Sequence, residues 1–149
     1  MIWTYAATVF GIGRAPFAPG TVASAVALPF AWVVLKYLGP VALFSLSFAI
    51  AAIGAWACDV YIRQNGSDDP SECVIDEVAG QFLACALAPL SLFGFLLAFL
   101  LFRLFDVSKL WPISEAERLR GGLGIMADDM VAGLMAGLIV AVVASLGLI

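Results

Sequence analysis

Apolar and polar positions in this chain fall into long blocks. Uncharged runs cover Ala15–Leu35, Tyr37–Cys58, Val78–Phe102 and Met130–Ile149, each at least 20 residues long. About 20 apolar residues in a helix cross the hydrocarbon core of a bilayer, so each run is a transmembrane candidate. Three read as full spans. In Val78–Phe102, Pro89 breaks the helical hydrogen-bond ladder near the middle. The chain is expected to enter through about Ala88, turn near Pro89–Ser91 and return through Leu92–Phe105. Each arm is too short to span, so such a re-entrant hairpin must pack against protein; a single kinked span is the alternative. The predicted fold is all-α: a polytopic membrane bundle forming a single domain over residues 1–149.

Composition strengthens that reading. The chain is 64% hydrophobic and 12% charged, against about 45–50% and about 25% in an ordinary globular domain. A soluble fold of this size could not hide so much apolar surface, which excludes a secreted or nuclear protein. Met1–Gly13 lacks the basic n-region, apolar h-region and small-residue site of a cleavable signal. The net charge of −4 argues against nucleic-acid binding. With no histidine, imidazole bases, His-ligated metals and phosphohistidine chemistry are all excluded. Cys58, Cys73 and Cys85 form no CxxC and are odd in number, so neither a zinc site nor a disulfide is expected.

The charges are segregated. All 11 acids lie between Asp59 and Asp129, in two polar islands, Asp59–Glu77 and Arg103–Asp129. Six of the seven bases sit in these islands or the N-terminal loop; Lys36 stands apart near the Leu38-Gly39-Pro40 turn. The positive-inside rule puts the loop and both islands in the cytoplasm and the turn outside. A weak internal repeat follows the same division. Asp59-Val60 and Asp106-Val107 close apolar segments, and Asp76-Glu77 and Asp128-Asp129 are expected to open new helices. Aligning the Ala-Gly pairs that follow makes Asp76 equivalent to Asp129, a possible internal duplication.

Three constellations carry chemistry. Adjacent helical residues point about 100° apart, so the two carboxylates of an acid pair cannot occupy one spot. Gly80 and Gly133 each lie four residues after an acid, on the same face as Asp76 and Asp129, and Gly137 continues a small-xxx-small contact. Two helices meeting there bring Asp76 and Asp129 together, with Glu77 and Asp128 in supporting or second-metal positions. Clustered carboxylates without His or Cys suit a hard divalent ion, Mg²⁺ first. The loop Gly11–Thr21 is rich in Gly and Pro; Thr21 is the expected N-cap with Ser24 at N3, and free N–H groups there with Arg14 make an anion site. Finally, Arg103, Asp106 and Lys109 share one face at i, i+3 spacing, with Trp111 at headgroup level.

Together these segments resemble the phosphatidylglycerophosphatase A family. The resemblance runs through Pro16 to Thr21, Asp69-Pro70 to Asp76-Glu77-Val78-Ala79-Gly80, Arg103 to Ile113, and Gly121-Gly122-Leu123-Gly124-Ile125-Met126-Ala127-Asp128-Asp129 to Gly133, in order, over about residues 11–135. Leu110 stands where the family has proline, and Glu117 where an Asp usually precedes Arg118. The resemblance implies a Mg²⁺-dependent enzyme of the bacterial inner membrane, its site facing the cytoplasm. Its reaction would convert phosphatidylglycerophosphate, the phospholipid partner, to phosphatidylglycerol and phosphate by metal-activated water attack. Mapped onto this chain, the expected catalytic residues are Asp76, Asp129 and Lys109. The expected metal ligands are Asp69, Asp76, Glu77, Asp106, Asp128 and Asp129, and the phosphate-binding set is Arg14, Gly20, Thr21, Arg103, Lys109 and Arg118. The rival reading is a small cation transporter or channel, whose acids should lie inside spans instead of at helix ends.

Overall fold

The structure is a computed structural model and describes residues 2–66 and 71–149. Among these described residues seven α-helices follow in order: α1 (Ile2–Ala7), α2 (Pro19–Leu38), α3 (Pro40–Asn65), α4 (Ile75–Ala86), α5 (Leu92–Ser108), α6 (Ile113–Glu117) and α7 (Gly121–Ser145), with a 3-10 turn at Ile12–Arg14. Helices α2, α3 and α7 are long and apolar enough to cross a membrane. Their outward side chains, among them Phe30, Phe48 and Val142, are exposed, as lipid-facing positions must be. Both α2 and α3 start on a proline, where the missing N–H has no helical partner to lose. Gly39, at φ +85°, makes the turn between them.

The Pro89 segment folds as a hairpin. Helix α4 ends at Ala86, and Ser91 caps α5 by accepting the Gly94 N–H at 3.0 Å. Glu77, in the first turn of α4, lies 4.0 Å from Arg103 near the end of α5. In a continuous helix those residues would stand about 39 Å apart at about 1.5 Å per residue. The arms are about 18 and 25 Å long, short of the roughly 30 Å hydrocarbon core. Protein shields the inner arm: every residue of α4 from Ala79 to Ala86 is buried. Trp32 of α2 meets Phe95 of α5 edge-on at 5.0 Å, while Leu92, Leu96, Leu100 and Leu104 make the outward face of α5.

Glycine lets α4 and α7 touch. A Cβ on Gly133 would come within 2.3 Å of the Gly80 carbonyl oxygen, and one on Gly80 within 2.6 Å of the Asp129 carbonyl. The expected seam is therefore present. Its register starts earlier than the sequence pattern suggests, because α7 begins at Gly121 and not at the acid pair. Three glycines in its first turn oppose helix formation by propensity, but tertiary contact overrides it. Gly122 packs where a Cβ would stand 2.0 Å from the Ala55 carbonyl, and its N–H donates to Asp59 Oδ1 at 2.6 Å. Asp59 thus satisfies one of the free N–H groups that open α7.

Two further expectations are corrected. Thr21 is not the N-cap of α2: Ala18, at φ +44°, holds that place, Pro19 is the first helical residue, and Thr21 falls at N3. Ser24 lies one turn further in and donates to the Gly20 carbonyl at 2.9 Å. Nor are all the cysteines separate filler. Cys58 and Cys73 form a disulfide, with Cα atoms 6.4 Å apart, that ties the segment before α4 to α3; Cys85 is free and buried. An odd count excludes only complete pairing. Residues 15 apart were brought together by the return of the chain to one end of the bundle.

Candidate active site

Among the described residues, the start of α4 and the end of α5 meet at that same end. There the start of α2, the first turn of α4, the end of α5 and the first turns of α7 enclose a cavity of about 380 Å³. Six carboxylates line it (Asp76, Glu77, Asp106, Glu117, Asp128 and Asp129) against two cations, Arg103 and Lys109. That leaves a formal excess of four negative charges in a partly desolvated space. Such an excess is costly unless a cation offsets it.

The carboxylates divide into two groups. Asp76, Glu77 and Asp129 can each offer an oxygen such that all three atoms lie within 4.8 Å of one another. Glu77 Oε2 and Asp129 Oδ2 are buried, and neither has a hydrogen-bond partner among the described residues. Buried oxygens of this kind are rare without an explanation. An all-oxygen set with unfilled acceptors fits a hard divalent cation. The second group is already neutralised. Lys109 Nζ bonds Asp128 and reaches Asp106 Oδ1 at 3.1 Å, while Arg103 Nη1 lies 2.6 Å from Asp106 Oδ2. Burial pulls the Lys109 pKa down, but Asp128 and Asp106 outweigh it and hold the ammonium above its ordinary value. Lys109 sits at φ +48°, in the left-handed region, where it ends α5. That conformation is unfavourable for a residue with a Cβ and is retained where the surroundings enforce it.

Backbone approach completes the site. A Cβ on Gly20 would stand 2.0 Å from Glu77 Oε1 and 3.3 Å from Arg103 Nη1, so glycine lets the start of α2 close against the acids without displacing those side chains. Ala18, Pro19 and Gly20 line the cavity, where the N–H groups of Gly20 and Thr21 are at the electropositive end of α2.

The structure thus brings together Asp76, Glu77, Asp106, Asp128, Asp129, Gly20, Arg103 and Lys109. It leaves three other predicted site residues off the cavity lining, Thr21 and two arginines. Arg14 Nε pairs with Glu72 Oε2 at 3.3 Å, and Arg118 Nη1 with Glu115 Oε2 at 3.0 Å; both pairs are exposed and neither arginine lines the cavity. Asp69 lies outside the described residues. Glu117, Ser71 and Cys73 line the cavity without having been singled out as site residues. For Glu117 the available signal was its place in the fourth matched segment's approach, beside Arg118. The expectation that the acids sit at helix ends holds for Asp76 and Glu77 in α4. It fails for Asp128 and Asp129, the eighth and ninth residues of α7.

Comparison with known proteins is consistent along nearly the whole chain. The family model described as Phosphatidylglycerophosphatase A matches residues 5–144. The chain is 36% identical over 136 residues to Phosphatidylglycerophosphatase A of Escherichia coli, covering 89% of this chain and 78% of that protein. It is 37% identical over 134 residues to the Haemophilus influenzae protein of the same name, covering 88% and 82%. It is also 34% identical over 143 residues to a Putative phosphatidylinositol-3-phosphatase of Bacteroides thetaiotaomicron, covering 91% and 89%. No solved structure matches.

Proposed function

The chain belongs to the phosphatidylglycerophosphatase A family, and from that premise we propose that it is a phospholipid phosphatase of the bacterial inner membrane. It hydrolyses the terminal phosphomonoester of phosphatidylglycerophosphate, with water as the other reactant and phosphatidylglycerol and inorganic phosphate as products. The observation that carries this reading is the charge pattern of the cavity. A cluster of three carboxylates, of which Glu77 has Arg103 at 4.0 Å, lies beside two cations and a helix N-terminus, at the polar end of a membrane bundle.

Asp76, Glu77 and Asp129 are the residues that would hold Mg²⁺. Bound there, the ion supplies neutralising charge, polarisation of the phosphoryl group and a lowered pKa for water. Without such neutralisation the acid excess would repel a phosphate dianion. Arg103 and Lys109 then grip phosphoryl oxygens, aided by the N–H groups that open α2. Their carboxylate partners, Asp106 and Asp128, keep both cations aimed inward. Asp76 or Asp129 accepts the proton of the attacking water, since the chain has no histidine to do so.

The test is phosphate release by the purified protein from phosphatidylglycerophosphate in mixed micelles, beside phosphatidylinositol-3-phosphate. Release from the first should exceed the second, vanish with EDTA and return with Mg²⁺. Full activity in EDTA would remove the metal from the mechanism, and preference for the inositol lipid would reassign the substrate. The site faces the cytoplasm in this proposal. Single cysteines replacing Arg63 and Glu115 should be labelled only from the cytoplasmic side, and one replacing Tyr37 only from outside.

A further inference from the structure

Next to the acid cavity lies a second space of different chemistry. It is a groove of about 480 Å³ lined by ten residues, every one of them apolar. One stripe of α2 forms its length: Ala23, Val26, Ala27, Phe30 and Val33, with Val34 at the far end. These positions follow the three- and four-residue spacing of a single helical face. Small Ala23 and Ala27 are buried and form the floor, whereas Val26, Phe30 and Val33 are exposed. Val78 and Phe82 of α4 close the other side.

The groove and the acid site are lined by neighbouring positions on two helices. On α2, Gly20 lines the cavity and Ala23, one turn on, lines the groove; on α4, Glu77 lines the cavity and its neighbour Val78 lines the groove. From Ala23 to Val34 the helix advances about 16 Å at about 1.5 Å per residue. One leaflet of the hydrocarbon core is about half of the roughly 30 Å total, so the groove is long enough to hold a chain through one leaflet. We infer that this groove seats an acyl chain of the glycerophospholipid whose phosphomonoester occupies the acid cavity. The inference rests on the lipid-phosphatase reading above and adds to it a substrate-binding surface. Seating one chain along α2 fixes the headgroup relative to Gly20, Glu77 and Arg103.

Val26→Trp fills the groove from its exposed side, and Leu100→Trp makes the same change on the outward face of α5. For long-chain phosphatidylglycerophosphate, Val26→Trp should raise KM about tenfold with little change in kcat. For the deacylated, water-soluble headgroup it should leave kcat/KM unchanged. Leu100→Trp should alter neither. Equal losses on both substrates, or the same loss from Leu100→Trp, would overturn the assignment. So would a Val26→Trp protein whose oligomeric size differs from the wild type, which would make the groove a contact between copies. A binding measurement separates this from failure of the activity itself. Phosphatidylglycerol carrying a diazirine in its acyl chain should label Val26, Phe30 or Val33, and unlabelled phosphatidylglycerol should compete where phosphatidylcholine does not. Labelling spread evenly over α5, or equal competition by phosphatidylcholine, would identify ordinary surrounding lipid instead. If the wild type releases phosphate from neither lipid, the phosphatase reading fails while the labelling still reports on the groove.

Discussion

Two acid pairs face the same cavity and are used differently. In α4, Asp76 and Glu77 both join the three-carboxylate cluster. In α7, Asp129 joins that cluster while Asp128 turns to Lys109. Helical rotation is the same in both, about 100° per residue. What differs is the environment each face meets. The α4 pair occupies a first turn, beside α2 and the seam with α7, and the longer Glu77 side chain lets a rotated neighbour reach the cluster. The α7 pair lies two turns into its helix; Asp128 accepts the Asp129 N–H at 2.9 Å just as Asp76 accepts that of Glu77 at 3.0 Å, and what it has in addition is Lys109 within reach. The lesson is that adjacency in sequence fixes the angle between two side chains but not the partner either one finds.

The largest effect should come from the cluster. Asp129→Asn or Asp76→Asn keeps size and removes charge, and should lower phosphate release at least about a thousandfold, roughly 4 kcal/mol of transition-state stabilisation. Each variant must keep its wild-type elution profile in detergent. An Asp129→Asn protein with most of its activity beside a dead Asp128→Asn protein would reverse the division drawn here.

Next, Glu77→Gln should cost about a hundredfold, less than the two Asp changes because Glu77 shares its charge with Arg103, and Asp128→Asn about ten- to a hundredfold, because Asp128 orients a cation. The distinction sharpens in a double-mutant cycle. Asp128→Asn combined with Lys109→Met should be strongly non-additive, while Asp128→Asn combined with Glu77→Gln should be close to additive. Additivity in the Asp128–Lys109 cycle would dissolve the second group.

The seam between the pairs gives a smaller effect on stability. Gly133→Ala places a Cβ against the Gly80 carbonyl and should lower stability by about 1–3 kcal/mol, as overpacking usually does. Gly147→Ala has no neighbour to meet; its cost should be confined to the positive φ there. Thermal unfolding in detergent compares the two.

The smallest effect concerns pH. Lys109 has a raised pKa, so its contribution to stability is full below the unfolded value of about 10.4 and is lost only as pH rises through the higher folded value. A pH–rate profile should therefore show no alkaline loss attributable to Lys109 up to about pH 9. A loss there that Lys109→Arg shifts upward would contradict the double carboxylate contact.

Much was legible in the residues alone. The charge-free runs fixed the membrane class and three spans, since hydrocarbon thickness sets a length that sequence can meet or miss. Pro89 marked the break in the third apolar segment, and glycines four residues beyond Asp76 and Asp129 marked the seam. Local signals fell short wherever the answer depended on a distant partner. Proline at N1 outweighed a threonine N-cap at the start of α2, and packing against Ala55 made a helix of a glycine-rich stretch. The return of the chain to one end paired Cys58 with Cys73. It also drew Arg14 and Arg118 to exposed carboxylates away from the cavity. Sequence by itself determined which segments enter a membrane and which residue types meet at its surface, because those follow from transfer free energy and helical period. Only the tertiary structure decided whether Val78–Phe102 crosses or returns, and which acid of each pair receives a cation, because both depend on which surfaces are left to face one another once the helices have packed.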